Sequence, residues 1–91
     1  MQVDRMEDME NLVVQTWDSL HEITIIEGRR GEILDRGGQF FPQLTPGRLA
    51  GATLVGSSCK IRGIYPGFRM EINADGHWTV TTPVNSIGVL A

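Results

Sequence analysis

A two-residue alternation over residues 68–82 constrains this chain more than any other feature. Phe68, Met70 and Ile72 interleave with Arg69, Glu71 and Asn73; after Ala74-Asp75-Gly76 the pattern resumes, with Trp78, Val80 and Thr82 set against His77, Thr79 and Thr81. Successive side chains of a strand point to opposite faces, so this spacing predicts an antiparallel hairpin with one wet face. Gly76 supplies the positive φ that a three-residue hairpin loop requires. Upstream, residues 22–27 carry the β-branched run Ile23, Thr24, Ile25, Ile26, and Gly28-Arg29-Arg30-Gly31 then turns into residues 32–35, a second hairpin.

Shorter strands are expected at 52–55, 60–65 and 85–90, with Pro83 stopping or bending the one before the last. Residues 36–51 contain Gly37-Gly38, Pro42, Pro46-Gly47 and Gly51, and read as a long ordered loop anchored by Phe40 and Phe41.

The period changes over residues 4–20. Met6, Met9, Val13, Trp17 and Leu20 are spaced by 3, 4, 4 and 3 residues, which places them on one face of a helix. Asp4 can cap its first amides, with Glu7 three residues on as in a capping box. The expected fold is therefore α+β: an N-terminal amphipathic helix over 4–20, packed on a curved antiparallel sheet or small open β-barrel of five to six strands formed by residues 22–91. The whole of 1–91 reads as a single domain, since a chain of this length supports one small core and no second.

Composition excludes several chemistries. Cys59 is the only cysteine, so neither a disulfide framework nor a multi-cysteine zinc site can be built within the chain. His21 and His77 lack any paired-ligand spacing, and no metal or other cofactor is expected. The stretch Gly51 to Ser58 has the glycine spacing of a phosphate-binding loop, but Ser57 stands where the lysine is needed. No aliphatic run exceeds three residues, far short of a membrane span, and the acidic start carries no leader-like apolar stretch; a cytoplasmic protein is expected. Net charge is −3, with residues 1–22 contributing −5 (six acids against Arg5) and the remainder +2. That asymmetry argues against a generally nucleic-acid-coated surface.

Three function classes follow. The leading expectation is a non-enzymatic interaction or assembly module that self-associates, through the stripe Met6, Met9, Val13, Trp17 and Leu20 or through sheet edges and the apolar end Ile87-Gly88-Val89-Leu90-Ala91. The second is a small β domain binding nucleic acid through Arg29 and Arg30 on their glycine-framed turn, with Lys60 and Arg62 extending the basic face. If such arginines pair with glutamates of neighbouring strands, they are ordinary cross-strand partners. The third is a small-molecule pocket between helix and sheet around Trp78, Cys59 and His77. No catalytic residue is assigned, because so few apolar side chains are all needed to fill one core.

The layout, an acidic segment read as a short helix followed by glycine-rich antiparallel strands ending in Trp78-Thr79-Val80-Thr81-Thr82-Pro83-Val84-Asn85-Ser86-Ile87, resembles small uncharacterised proteins of mobile integron gene cassettes. The resemblance covers composition and layout, and it implies no functional residue.

Overall fold

A computed structural model describes residues 1–38, 41–54 and 57–90, with backbone alone at 57–59. Phe40, Val55, Gly56 and the side chain of Cys59 thus lie outside the described residues. Seven strands follow in order: β1 (Asn11–Thr16), β2 (Leu20–Glu27), β3 (Glu32–Gly37), β4 (Phe41–Leu54), β5 (Ser57–Ile61), β6 (Arg69–Ala74) and β7 (His77–Leu90). All pair antiparallel, in the spatial order β3-β2-β1-β7-β6-β4-β5. The first half of β4 also pairs with β3 (Asp35↔Thr45, Glu32↔Arg48), while its second half pairs with β6 (Leu49↔Ile72, Thr53↔Arg69). That double use of β4 closes six strands into a barrel and leaves β5 as a flap on β4. Closure satisfies the ladder amides that an open sheet would leave at its edges.

The N-terminal helix does not exist. About 70% of the chain is strand and 7% is helical, the latter as 3-10 turns such as Val3–Arg5 and Gly28–Arg30, and no helix reaches seven residues. The fold is all-β, and the expected α+β class is corrected accordingly. Residues 11–16 obey period two: Leu12, Val14 and Thr16 face the core, with Asn11 and Gln15 outside and Val13 half-buried between them. β-Branched Val13, Val14 and Thr16 favour an extended backbone, and Met9 at φ 67° ends any helical path. The supposed apolar stripe is dispersed: Met6 packs against the core, whereas Met9 (66%), Trp17 (69%) and Leu20 (49%) are largely exposed.

The long loop over 36–51 is likewise mostly strand. Along 41–47, β4 pairs with β3 alone among the described residues, so Pro42 and Pro46 lie on a one-sided stretch where a missing amide is tolerated. Pro83 does not stop its strand. It sits in β7 where the ladders to β1 and β6 both shift register, and bulges accommodate proline. The two expected hairpins are present, β2–β3 and β6–β7. The second turns on two residues rather than three, Asp75 (φ 53°) and Gly76 (φ 76°), between the paired Ala74 and His77.

The core is aliphatic: Leu12, Val14, Ile23, Ile25, Ile33, Leu49, Met70, Ile72 and Val84 fill the barrel. At the β2–β3 end it is plugged by Val3 and Ile64. The Val3 amide donates to Arg62 O at 2.8 Å, and the Ile64 amide to Met1 O at 2.9 Å. Gly28 lies so close beneath that a Cβ there would meet Val3 O at 2.3 Å. Among the described residues no helix is long and apolar enough to cross a membrane.

Candidate functional site at the barrel mouth

The opposite end of β2 is built from polar side chains. The β1–β2 connection is a tight turn locked by Thr16: its amide donates to Ser19 O at 2.8 Å, and the Ser19 amide donates to Thr16 Oγ1 at 3.1 Å. The threonine hydroxyl replaces a backbone partner, the usual device of such turns. Asp18 at the tip accepts from Thr82 Oγ1 of β7 at 2.7 Å and from Thr16 Oγ1 at 3.3 Å. The Thr82 hydrogen bond is the main reason its carboxyl is held below the usual carboxylate range, and Asp18 is therefore an anion at neutral pH.

Immediately inward lie His21 and Asp35, 3% and 1% exposed in an interior whose other buried residues are mostly aliphatic. Their meeting is a consequence of register. In the β2–β3 ladder Ile23 faces Asp35 and His21 faces Gly37, so the two polar residues are diagonal neighbours on the inner face. Gly37 permits this crossing, since a Cβ there would fall 2.1 Å from Leu20 O and 2.7 Å from His21 Cα. His21 Nδ1 lies 3.0 Å and 3.1 Å from the two Asp35 carboxylate oxygens, and His21 Nε2 lies 3.0 Å from Ser19 Oγ. Ser19 Oγ in turn is 2.7 Å from Thr16 Oγ1.

These contacts admit one consistent set of proton positions in which Asp35 is a carboxylate and the ring is neutral. An ionised carboxylate only accepts, so Nδ1 of His21 carries a proton toward Asp35. In the neutral ring Nε2 is then an acceptor, and Ser19 donates its hydroxyl proton to it. The one Thr16 hydroxyl proton is shared among Asp18 Oδ1, Ser19 O and Ser19 Oγ, the last being the nearest at 2.7 Å. The result is a directed chain, Thr16 to Ser19 to His21 to Asp35, in which the serine oxygen is polarised toward a base.

The chain borders a cavity of about 240 Å³ lined by Asp18, Ser19, His21, Gly38 and the β7 residues 79–82. Gly38, at φ 61°, keeps it open: a Cβ there would stand 3.6 Å from both Cε1 and Nε2 of the imidazole and from Ser19 Cβ.

The residues singled out in the sequence lie elsewhere. Arg29 and Arg30 are exposed on the 3-10 turn between β2 and β3, and Arg30 pairs with Glu27 at 3.6 Å. Arg62 is half-buried at φ 53°, with its Nε buried and without a hydrogen-bond partner, and Lys60 lies over the Tyr65 ring at 5.2 Å. Arg36 pairs with Glu22, and Arg48 with Glu32 at 4.0 Å, as cross-strand partners do. His77 and Trp78 are exposed at the β6–β7 hairpin, and β5 carries Cys59, whose side chain lies outside the described residues. Of the self-association set, Trp17 borders a separate groove with Leu54, Pro66 and Pro83. Sequence reasoning missed the His21–Asp35 pair. Its signal was present, in two polar residues at inward positions of alternating strands: His21 in phase with Ile23 and Ile25, and Asp35 in phase with Ile33.

No family model matches this chain, and no curated protein or solved structure matches it either. The acidic helix that formed part of the likeness to cassette proteins is replaced by β1.

Proposed function

We propose that this protein is a small-ligand-binding β-barrel whose ligand occupies the mouth cavity. The observation that carries the reading is the buried His21–Asp35 pair, aimed through Ser19 at that cavity from within an aliphatic core. Buried ionisable groups are costly to desolvate and cluster at functional sites. The cavity, at about 240 Å³, falls below the ~300–1,000 Å³ of pockets for drug-sized molecules, so the ligand is small. The hydroxyl oxygens of Ser19 and Thr82, whose protons point to His21 and Asp18, can accept from a ligand N–H or O–H, and the Asp18 anion at the rim disfavours a carboxylate. N-Phenylacetamide and benzoate are suitable probes in a ¹H–¹⁵N correlation titration. The amide should shift resonances of residues 18–21, 38 and 79–82, and benzoate should shift them less. Shifts scattered over the barrel, or none, would refute the reading. A single cysteine suits a reducing, cytoplasmic setting, which we include in this proposal.

A second reading, self-association, is favoured by the groove of about 500 Å³ where Trp17, 69% exposed, stands beside Leu54, Pro66 and Pro83. Its occupant would be a second copy of the chain, because β5 pairs with β4 alone among the described residues and can extend antiparallel onto its own symmetry mate. Sedimentation over a concentration series should show a dimer that Trp17→Ser converts to monomer. A monomer at all concentrations rules this out.

A further inference from the structure

We infer that the mouth cavity is a hydrolytic site, in which Ser19 Oγ is the nucleophile, His21 the general base and Asp35 the positioning residue. The inference rests on the ligand-binding reading, because a substrate must first enter the cavity. Three features support it. The Ser19 Oγ to His21 Nε2 distance of 3.0 Å is within reach for proton transfer. Asp35, buried and bonded to Nδ1 at 3.0 Å, holds the tautomer that leaves Nε2 free to accept. Both Ser19 and His21 face the cavity, with Gly38 leaving open the space beside their contact.

The substrate class follows from the same groups. Ser19 Oγ attacks an ester carbonyl carbon while its proton passes to His21 Nε2. The tetrahedral adduct expels the alcohol or phenol oxygen, which takes that proton, and the Ser19 acyl ester remains. Water, deprotonated by His21, attacks this ester; a carboxylic acid leaves and the Ser19 hydroxyl is restored. Each bond broken is matched by one formed, and no other reactant is required. The Ser19 amide is already committed to Thr16 Oγ1 at 3.1 Å, so it does not stabilise an oxyanion. Substrates are therefore esters with good leaving groups, such as aryl esters of small uncharged acids, rather than amides. Asp18 at the rim repels anionic acyl groups.

The test combines covalent labelling with turnover of phenyl acetate, the ester counterpart of the amide probe above. Phenylmethylsulfonyl fluoride should add one sulfonyl group per chain, and peptide mapping should place it on Ser19. Phenyl acetate should be hydrolysed with an initial burst. Ser19→Ala, a small change on a partly exposed turn, should abolish both while leaving the far-ultraviolet circular dichroism of the barrel unchanged. His21→Asn should slow labelling by about 10²–10⁴-fold. Asp35→Asn should slow it too while leaving N-phenylacetamide binding at residues 18–21 unchanged; a merely structural role would weaken binding and labelling together. Absent labelling, or labelling at another side chain, with N-phenylacetamide still bound at residues 18–21, would overturn the hydrolytic inference alone. Absence of both labelling and amide binding would overturn the two together.

Discussion

Removing either member of the His21–Asp35 pair should destabilise the barrel severely, whereas removing both should not. The side chains are 4% and 1% exposed, so solvent neither screens their interaction nor replaces a lost partner. In His21→Leu the Asp35 carboxylate loses the ring nitrogen that its two oxygens share at 3.0 and 3.1 Å. Leaving a buried charge unpaired costs about 3–5 kcal/mol. A chain of 91 residues has a total stability of about 5–14 kcal/mol at 0.05–0.15 kcal/mol per residue, so one substitution removes a large share of it. Asp35→Val leaves the imidazole without its acceptor and should cost roughly 1–3 kcal/mol, the penalty of an unsatisfied buried donor. The double variant replaces both groups with apolar ones that suit the Ile23, Ile25 and Ile33 environment, and should lie within about 1 kcal/mol of the parent or above it. Urea denaturation with unchanged m-values measures all four corners of the cycle. A double variant as unstable as the sum of its singles would refute the argument, as would singles that each lose less than about 0.5 kcal/mol. A stable double variant would also mean that the pair is dispensable for folding, which strengthens its assignment to a site.

Other expectations are smaller in scope. Gly28→Ala should cost about 1–3 kcal/mol, since its Cβ would meet the Val3 carbonyl oxygen at 2.3 Å and the N-terminal plug must move; thermal melts of the two proteins measure it. Asp18 has a carboxyl pKa lowered from 3.8, chiefly by the Thr82 hydroxyl, so its stabilising contribution is present above that value and is lost as pH falls below it. Thr82→Val should therefore flatten this part of the acid limb in denaturation curves taken between pH ~5 and ~2. Glu22→Ala, which removes the half-exposed partner of Arg36, should change stability by only about 0.2–1 kcal/mol, and more salt should shrink the difference.

What could be read from the sequence was local. The hairpins around Gly28-Arg29-Arg30-Gly31 and Asp75-Gly76 were legible because turn residues and alternation coincide within a short window. Residues 4–20 were misread because two periods overlap there. Met6, Met9, Val13, Trp17 and Leu20 fit a helix, while Leu12, Val14 and Thr16 fit a strand, and burial chose the second set. Residues 36–51 looked like a loop because Pro42, Pro46 and Gly47 suggest breaks, yet a strand paired on one side tolerates them. The mouth site was illegible for a different reason. His21 and Asp35 are fourteen residues apart, and only the Ile23↔Asp35 register makes them diagonal neighbours. A slip of one residue would turn either side chain to the outer face. The alternation of each strand fixes which residues point inward, but not which inward residues of different strands meet.

The location of the site follows from how the two ends of the barrel are closed. At one end, Val3 and Ile64 supply an apolar plug, held by backbone hydrogen bonds to Met1 and Arg62 and pressed against Gly28. At the other end the β1–β2 turn spans only Trp17, Asp18 and Ser19, too short to fold an apolar segment over the opening. Among the described residues, the polar side chains there run from half-buried Ser19 to buried Thr16, His21 and Asp35, and such positions can hold polar groups if these bond to one another. Thr16, Ser19, His21 and Asp35 do so in series, from the partly exposed turn to the 1% exposed carboxylate. A network of this kind orders its own donors and acceptors before any ligand arrives, so little reorganisation is needed on binding. A small core thus does not preclude a reactive centre, because the ionisable groups replace apolar residues in the last layer of the barrel instead of requiring a layer of their own.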